Sequence, residues 1–225
     1  MAKTRGKSDW AAAKKAGSER RRVVHVYTEG KVTEPGFIRI ITKQGTSADP
    51  TLKVDVRIAN ANDDGSRRMP IDLVERAVAL QQRIQREEKK AKVPSKLRTQ
   101  VWCLFDHDNH PDVEAALSLA DKHKLPVAFS HPCFEVWRVL HLKPATGSFG
   151  GVCGIATQRL PNDWHKVPGG IKAVLPEQIK GGYGEAKDRA LRMNAQHPEH
   201  LPLHKRDPYT DVYEFVEKGL GITAY

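Results

Sequence analysis

The chain has 225 residues, 39% of them apolar, which suffices for one full domain with a smaller appendage and excludes a disordered tail. Lysine and arginine outnumber aspartate and glutamate by 37 to 27, a formal net charge of +10, and this surplus favours phosphate-rich partners without selecting a sequence or a sugar. No apolar stretch approaches the ~20 residues of a membrane span, and the basic amino terminus lacks the apolar core of a signal peptide, so a soluble, cytoplasmic protein without membrane contact is expected.

Residues 1–21 carry Lys3, Arg5, Lys7, Lys14, Lys15, Arg20 and Arg21 among alanines and read as a basic flexible arm. Val23-Val-His-Val-Tyr27 is a β-branched and aromatic run, the pattern of a strand covered on both faces, and it breaks at Glu29-Gly30. A helix is predicted next, with Thr33 as its cap, Glu34 and Pro35 in its first turn, and Phe37, Ile38, Ile40 and Ile41 as its buried stripe. Leu52, Val54, Val56 and Ile58 alternate with polar residues, as a half-buried strand near a sheet edge would. From Pro70 a long helical pattern runs through Ile71, Val74, Val78 and Leu80 into a charged segment that Pro94 closes.

A third strand is predicted over residues 101–105, and Asn109-His-Pro-Asp112 has the proline and acid of a helix start before Val113, Ala116, Leu117 and Ala120. Residues 125–130 form a fourth strand, and residues 133–142 a helix with Phe134, Trp137 and Leu140 as its apolar seam. Strands alternating with helices imply an α/β fold: a parallel sheet of about four strands flanked by helices, complete within residues 22–143. Beyond Pro144 the glycines and prolines of a loop-rich segment take over, so residues 144–225 read as a small, mostly helical C-terminal extension. Within it, Asp211-Val-Tyr-Glu214 has the form of a capping box opening a terminal helix.

The chemistry concentrates in two acidic turns. Asp106 and Asp108 are two positions apart at the end of the third strand, where side chains of one parity share a face. Glu29 and Glu34 follow the first strand, and in a parallel sheet both turns open on one edge. Carboxylates gathered there repel one another, and either a raised pKa or a hard cation, Mg²⁺ or in its place Mn²⁺, relieves the repulsion. Short acids also cap helices and stabilise turns, which for an isolated Asp-x-Asp is the commoner role; Asp112 and Glu114 are read that way.

The remaining reactive residues read as structural. His107, His110, His131 and Cys133 lack regular metal-ligand spacing, and His107 should point away from Asp106 and Asp108. Three cysteines, Cys103, Cys133 and Cys153, without a Cys-x-x-Cys pair argue against a disulfide framework and for a reducing compartment, with Cys133 packed rather than nucleophilic. Glu135 and Arg138 lie off the apolar seam, where an exposed ion pair is expected, and Trp10 and Trp164 are left open between stacking on bases and the commoner role of packing anchor. No phosphate-binding Gly-x-x-x-x-Gly-Lys-Ser/Thr loop exists, so an ATPase activity would belong to a separate protein.

Taken together, Glu29-Gly30 with Thr33-Glu34, Phe105-Asp-His-Asp-Asn-His110, Ser130-His-Pro-Cys-Phe-Glu-Val-Trp137 with Leu140-His141, and Asp207-Pro-Tyr-Thr210 resemble the RloB family of bacterial and archaeal proteins. That family is related to the Toprim fold of topoisomerases, primases and overcoming-lysogenization-defect nucleases. The resemblance implies a Toprim-like catalytic domain over residues 22–143. It further implies a Mg²⁺-dependent nuclease acting on DNA or RNA, transfer RNA included, in prokaryotic antiphage defence or abortive infection, with an ATPase partner encoded nearby.

By the same likeness Glu29 is a general acid or base or a metal-linked carboxylate, Asp106 and Asp108 hold Mg²⁺, and Glu34 is the extra acid of nuclease-type members. His110 and Glu135 belong to the RloB-like pattern and complete the candidate catalytic set. Toprim nucleases also add a lysine, for which Lys31 in the acidic turn is the candidate. A non-catalytic nucleic-acid-binding or regulatory subunit of a defence ATPase is the competing reading, and a homo-oligomer is compatible with either.

Overall fold

The computed structural model describes residues 20–225. Most of the basic arm, and Trp10 with it, lies outside the described residues. In chain order the structure has β1 (Arg20–Thr28), α1 (Thr33–Gln44), β2 (Thr46–Ser47), β3 (Leu52–Ile58), α2 (Pro70–Ala91), β4 (Gln100–Asp106), α3 (Val113–Lys122), β5 (Val127–His131) and α4 (Glu135–Leu142). There follow α5 (Cys153–Gln158), α6 (Tyr183–Asn194), β6 (Tyr209–Thr210), α7 (Val212–Glu214), which continues as a π-helical turn over Phe215–Gly219, and β7 (Ile222–Ala224). The last residues of the basic run are strand: Arg20, Arg21 and Arg22 pair with Leu52, Lys53 and Val54.

The main sheet has the order β3-β1-β4-β5-β6, parallel except for β6. The expected edge position of β3 is found, and the parallel part has the expected four strands. The fifth strand is an addition, because the two residues Tyr209 and Thr210 run antiparallel against His131 and Ser130. Alternation along the strands sorts the core into two layers. Val24, Val26, Trp102 and Leu104 face α1, α4 and the C-terminal segments, whereas Tyr27, Val101, Cys103 and Phe105 face α2 and α3.

Because the chain leaves β1 toward β3 on one side and reaches β4 on the other, the sheet order reverses between β1 and β4. The crevice outside the carboxyl ends of strands at such a reversal is where open α/β sheets bind ligands. Both acidic turns lie at that point.

Several local expectations are corrected. Thr33 makes no cap for α1; its hydroxyl donates instead to the Lys172 carbonyl at 3.0 Å. Asp112 does not cap α3 through its side chain but accepts from the Ile71 N–H at 3.2 Å, thereby serving the start of α2. No capping box forms at Asp211, whose carboxylate turns inward to the Phe129 N–H and the Tyr209 hydroxyl. Among the described residues no helix is long and apolar enough to cross a membrane.

Candidate functional site

The turn after β1 is held from behind. Asn60, on the loop after β3, grips Thr28 twice: its side-chain oxygen accepts from the Thr28 N–H at 3.0 Å and its amide donates to the Thr28 carbonyl at 2.7 Å. The buried Arg68 guanidinium donates to the carbonyls of Thr28 at 2.9 Å, Gly30 at 3.2 Å and Asn60. With its carbonyls engaged at the rear, the turn leaves the Glu29 side chain and the Gly30 N–H to the cavity side. Gly30 donates to Glu34 Oε1 at 2.8 Å, and a Cβ at that position would lie 2.0 Å from Glu34 Oε2. Only glycine permits this approach.

Asp106 ends β4 with the parity of Trp102 and Leu104, so its side chain leaves the sheet on the side of α1 and α4. Those helices present acids from their first turns, Glu34 from α1 and Glu135 from α4. Helix amino termini favour negative charge. The strand stops at Asp106, so alternation does not carry Asp108 onto the same face. A turn with Asp108 and Asn109 at φ 30° and 57° delivers it instead, anchored by the Asp108 N–H on the Pro132 carbonyl at 3.0 Å. Such left-handed geometry favours short polar residues and is often found at functional sites.

These elements enclose a cavity of about 260 Å³ lined by Glu29, Glu34, Asp106, Asp108 and Glu135, with Lys31 and Lys172 among its cations. It has two halves. In the outer half, Glu29 Oε2 accepts from the Asp106 N–H at 2.9 Å, Glu29 Oε1 lies 2.9 Å from His110 Nε2, and Asp108 completes a potential metal-ligating trio with them. The inner half holds Glu34, Asp106 and Glu135, with Lys172 Nζ 3.2 Å from Glu135 Oε1. All five acids proposed from the sequence, and His110 with them, therefore meet at one edge.

The electrostatics follow from burial and crowding. Asp106 is raised well above the ordinary aspartate range, first by burial and then by Glu29, Glu34 and Glu135. Burial likewise pushes Glu34 up to about 7, Glu29 and Glu135 adding to the effect over the opposing Gly30 N–H. His110 is raised because Glu29 accepts its hydrogen bond. For Lys172, burial works against the charge, but the neighbouring Glu135, Asp106 and Glu34 leave it raised on balance. The ligand atoms that come within reach of one ion are the carboxylates of Glu29 and Asp108 and the His110 imidazole, with Glu34 and Asp106 beside them, a mainly oxygen set that a small divalent cation would fit.

Two expectations fail here. Glu135 and Arg138 form no exposed ion pair: they are 1% and 0% exposed, Glu135 pairs with Lys172, and Arg138 donates to the carbonyls of Ile171 and Ala173 and to Gln178 Oε1. Arg138 also packs 5.1 Å from the Trp164 ring, so the segment presenting Lys172 is fastened on both sides of that lysine. Nor are the cysteines all free. Cys133 and Cys153 are bonded to each other at the cavity wall, and Cys103 is the free one, buried on the other face.

Lys172 is the cavity residue that sequence reasoning missed. It sits in a short 3₁₀ turn, Gly170–Lys172, inside the glycine- and proline-rich segment, where no periodicity betrays which face a side chain takes. Composition does not single it out either, since the same tract carries Arg159, Lys166 and Lys180. His107 behaves as expected, stacking on His131 with ring centroids 4.0 Å apart.

Comparison with protein-family models matches residues 24–218 to the family described as RloB-like protein. Neither the search of curated proteins nor that of solved structures finds a match.

Proposed function

The chain belongs to the RloB-like family, and on that premise we propose that it is a Mg²⁺-dependent nuclease of the Toprim type, hydrolysing phosphodiesters of DNA or RNA in prokaryotic antiphage defence. The observation that carries this reading is the meeting of Glu29 and Asp106, joined by the 2.9 Å hydrogen bond from the Asp106 N–H, at the reversal point of the sheet beside Glu34, Asp108 and Glu135. Mn²⁺ would fit the same oxygens.

Glu29, Glu34, Asp106 and Asp108 are the residues that would hold the cation, which when bound would offset charge on a phosphate and lower the pKa of water. The protein's own groups supply the rest. His110, kept protonated to higher pH by Glu29, holds a proton at Nε2 beside the acids. Lys172 directs a cation into the cavity, where it orients an anionic phosphate. The net positive charge of the chain favours a polyanion as its partner.

One observation favours a second reading, a non-catalytic nucleic-acid-binding or regulatory subunit partnering a defence ATPase: both oxygens of Glu29 already have partners. Incubating the purified chain with single- and double-stranded DNA, RNA and transfer RNA, with Mg²⁺, Mn²⁺ or chelator, separates the two. Cation-dependent cleavage is expected. Binding of these substrates without turnover, with and without the ATPase, would favour the subunit.

A further inference from the structure

Cys133 and Cys153 come from different parts of the chain, one two residues before α4 and the other at the start of α5, and their sulfurs meet at the wall of the acidic cavity. Their Cα atoms are 5.5 Å apart, within the ordinary span of a cystine. Glu135 stands directly beside them. Its two oxygens are differently engaged: Oε1 faces Lys172 Nζ at 3.2 Å, whereas Oε2 lies 3.6 Å from Cys153 Sγ. Ligand atoms of Cys133, Glu135 and Cys153 all fall within 4.8 Å of one another.

We propose that these three residues form a redox-gated site for a thiophilic divalent cation of the Zn²⁺ class, separate from the all-oxygen set of Glu29, Glu34, Asp106 and Asp108. In the oxidised chain the sulfurs are spent on each other and the site is closed. A dithiol reductant opens it: the S–S bond breaks, two electrons and two protons are taken up, two thiols form, and the reductant leaves as its own disulfide. On metal binding each thiol gives its proton to solvent as a sulfur–metal bond forms.

The geometry matches this chemistry. Zinc–sulfur and zinc–oxygen bonds of ~2.3 and ~2.1 Å at a tetrahedral angle put sulfur and oxygen about 3.6 Å apart. That is the separation between Cys153 Sγ and Glu135 Oε2. Two sulfurs on one zinc stand about 3.8 Å apart, which requires the cystine to be open. Thiolates select Zn²⁺ over Mg²⁺ by softness, so two cations of different character would lie side by side. Occupation of the thiolate site engages Glu135 and withdraws its charge from the acids around Asp106. The inference does not depend on hydrolysis.

Its test uses the whole chain. Protein reduced with a dithiol, freed of reductant under anaerobic conditions and titrated with Co²⁺ as a spectroscopic stand-in should show a thiolate-to-cobalt charge-transfer absorption that saturates at about one equivalent and is displaced by Zn²⁺. Oxidised wild-type protein should show none, and because it is the same polypeptide, a folding defect cannot explain the difference. Counting reactive thiols after denaturation should give one in the oxidised chain and three in the reduced. Cys153→Ser should abolish the band, and Glu135→Gln should weaken binding at least tenfold.

Absence of the band from reduced wild-type protein, its persistence in Cys153→Ser, or an unchanged affinity in Glu135→Gln would overturn the proposal. Cleavage is read at no step. A chain inactive on every nucleic acid leaves this result standing, and a missing cobalt band leaves the hydrolase reading standing.

Discussion

Glu29 and Glu135 each bring a carboxylate to the same cavity, and each has one ionisable side-chain nitrogen as partner, His110 and Lys172, yet they live under different constraints. The Glu29 side chain is 17% exposed and its partner His110 is 21% exposed, so water shares in stabilising the charge of the outer half. Glu135 is 1% exposed, and the inner half stabilises its acids through Lys172 and through the raised proton affinity of Glu34 and Asp106. A desolvated carboxylate beside like charges must find a proton or a cation. The inner half is therefore where the demand for a cation arises.

The strongest way to break this comparison is Asp106→Asn, which keeps the shape and removes the charge at the junction of the halves. Cleavage should fall at least about 100-fold, the scale of losing one preorganised electrostatic contact. The metal-free variant should nevertheless melt higher than wild type at pH 8, since the repulsion from Glu29, Glu34 and Glu135 is gone. Mg²⁺ at about 100 times its dissociation constant should stabilise wild type by about 2.7 kcal/mol and the variant by much less. Differential scanning fluorimetry beside a cleavage assay reads both; equal Mg²⁺ shifts would remove Asp106 from the cation site.

Lys172→Met tests the inner half directly. It leaves Glu135 buried without its ion-pair partner, and a loss of about 1–3 kcal/mol is expected once the exposure of the lysine is discounted. Urea denaturation measures it, and an unchanged midpoint would show that the pair contributes nothing. His110→Asn should do less, about 1 kcal/mol in stability and roughly tenfold in cleavage, the size of one ordinary hydrogen bond that water partly screens. If the two variants were equally destabilised, the distinction between the halves would fail.

Asp211 supplies a control outside the cavity. Burial pushes it up to about 7, against the hydrogen bonds it accepts from Phe129 and Tyr209. A carboxyl with a raised folded-state pKa contributes stability below its unfolded value, near ~4, that is lost as pH rises through about 7, at most about 1.4 kcal/mol per pH unit. Asp211→Asn should flatten that part of the pH–stability curve, and Mg²⁺ should leave this component unchanged. A slope that moves with Mg²⁺ would tie Asp211 to the site.

Much of this arrangement was legible because strand polarity and parity are local facts. The run from Val23 to Tyr27, the alternation in β3 and the apolar β4 fixed which turns share an edge, and that sufficed to gather Glu29, Glu34 and Asp106. Asp108 arrives by a left-handed turn, and Glu135 is marked by the family pattern while its helix face suggests an exposed ion pair. What escaped notice depends on contacts between distant segments. Lys172 reaches the cavity because Arg138, 33 to 40 residues earlier, fastens the turn around it, and a buried arginine on an apolar helix looks like a surface residue in sequence. Cys153 finds Cys133 across 20 residues that comprise α4 and the irregular stretch after it, and β6 is too short to show a period.

Arg68 has a consequence that reaches beyond its own loop. Its guanidinium stands behind the Glu29 turn, so the wall of an acidic chamber is braced by a cation that neither salt nor substrate can reach. Asn60 and Arg68 act as the keystone of an arch whose visible stones are Glu29 and Gly30. Damage to that hidden support would therefore surface as a misaimed carboxylate at the mouth, in a molecule whose entire lining is still present.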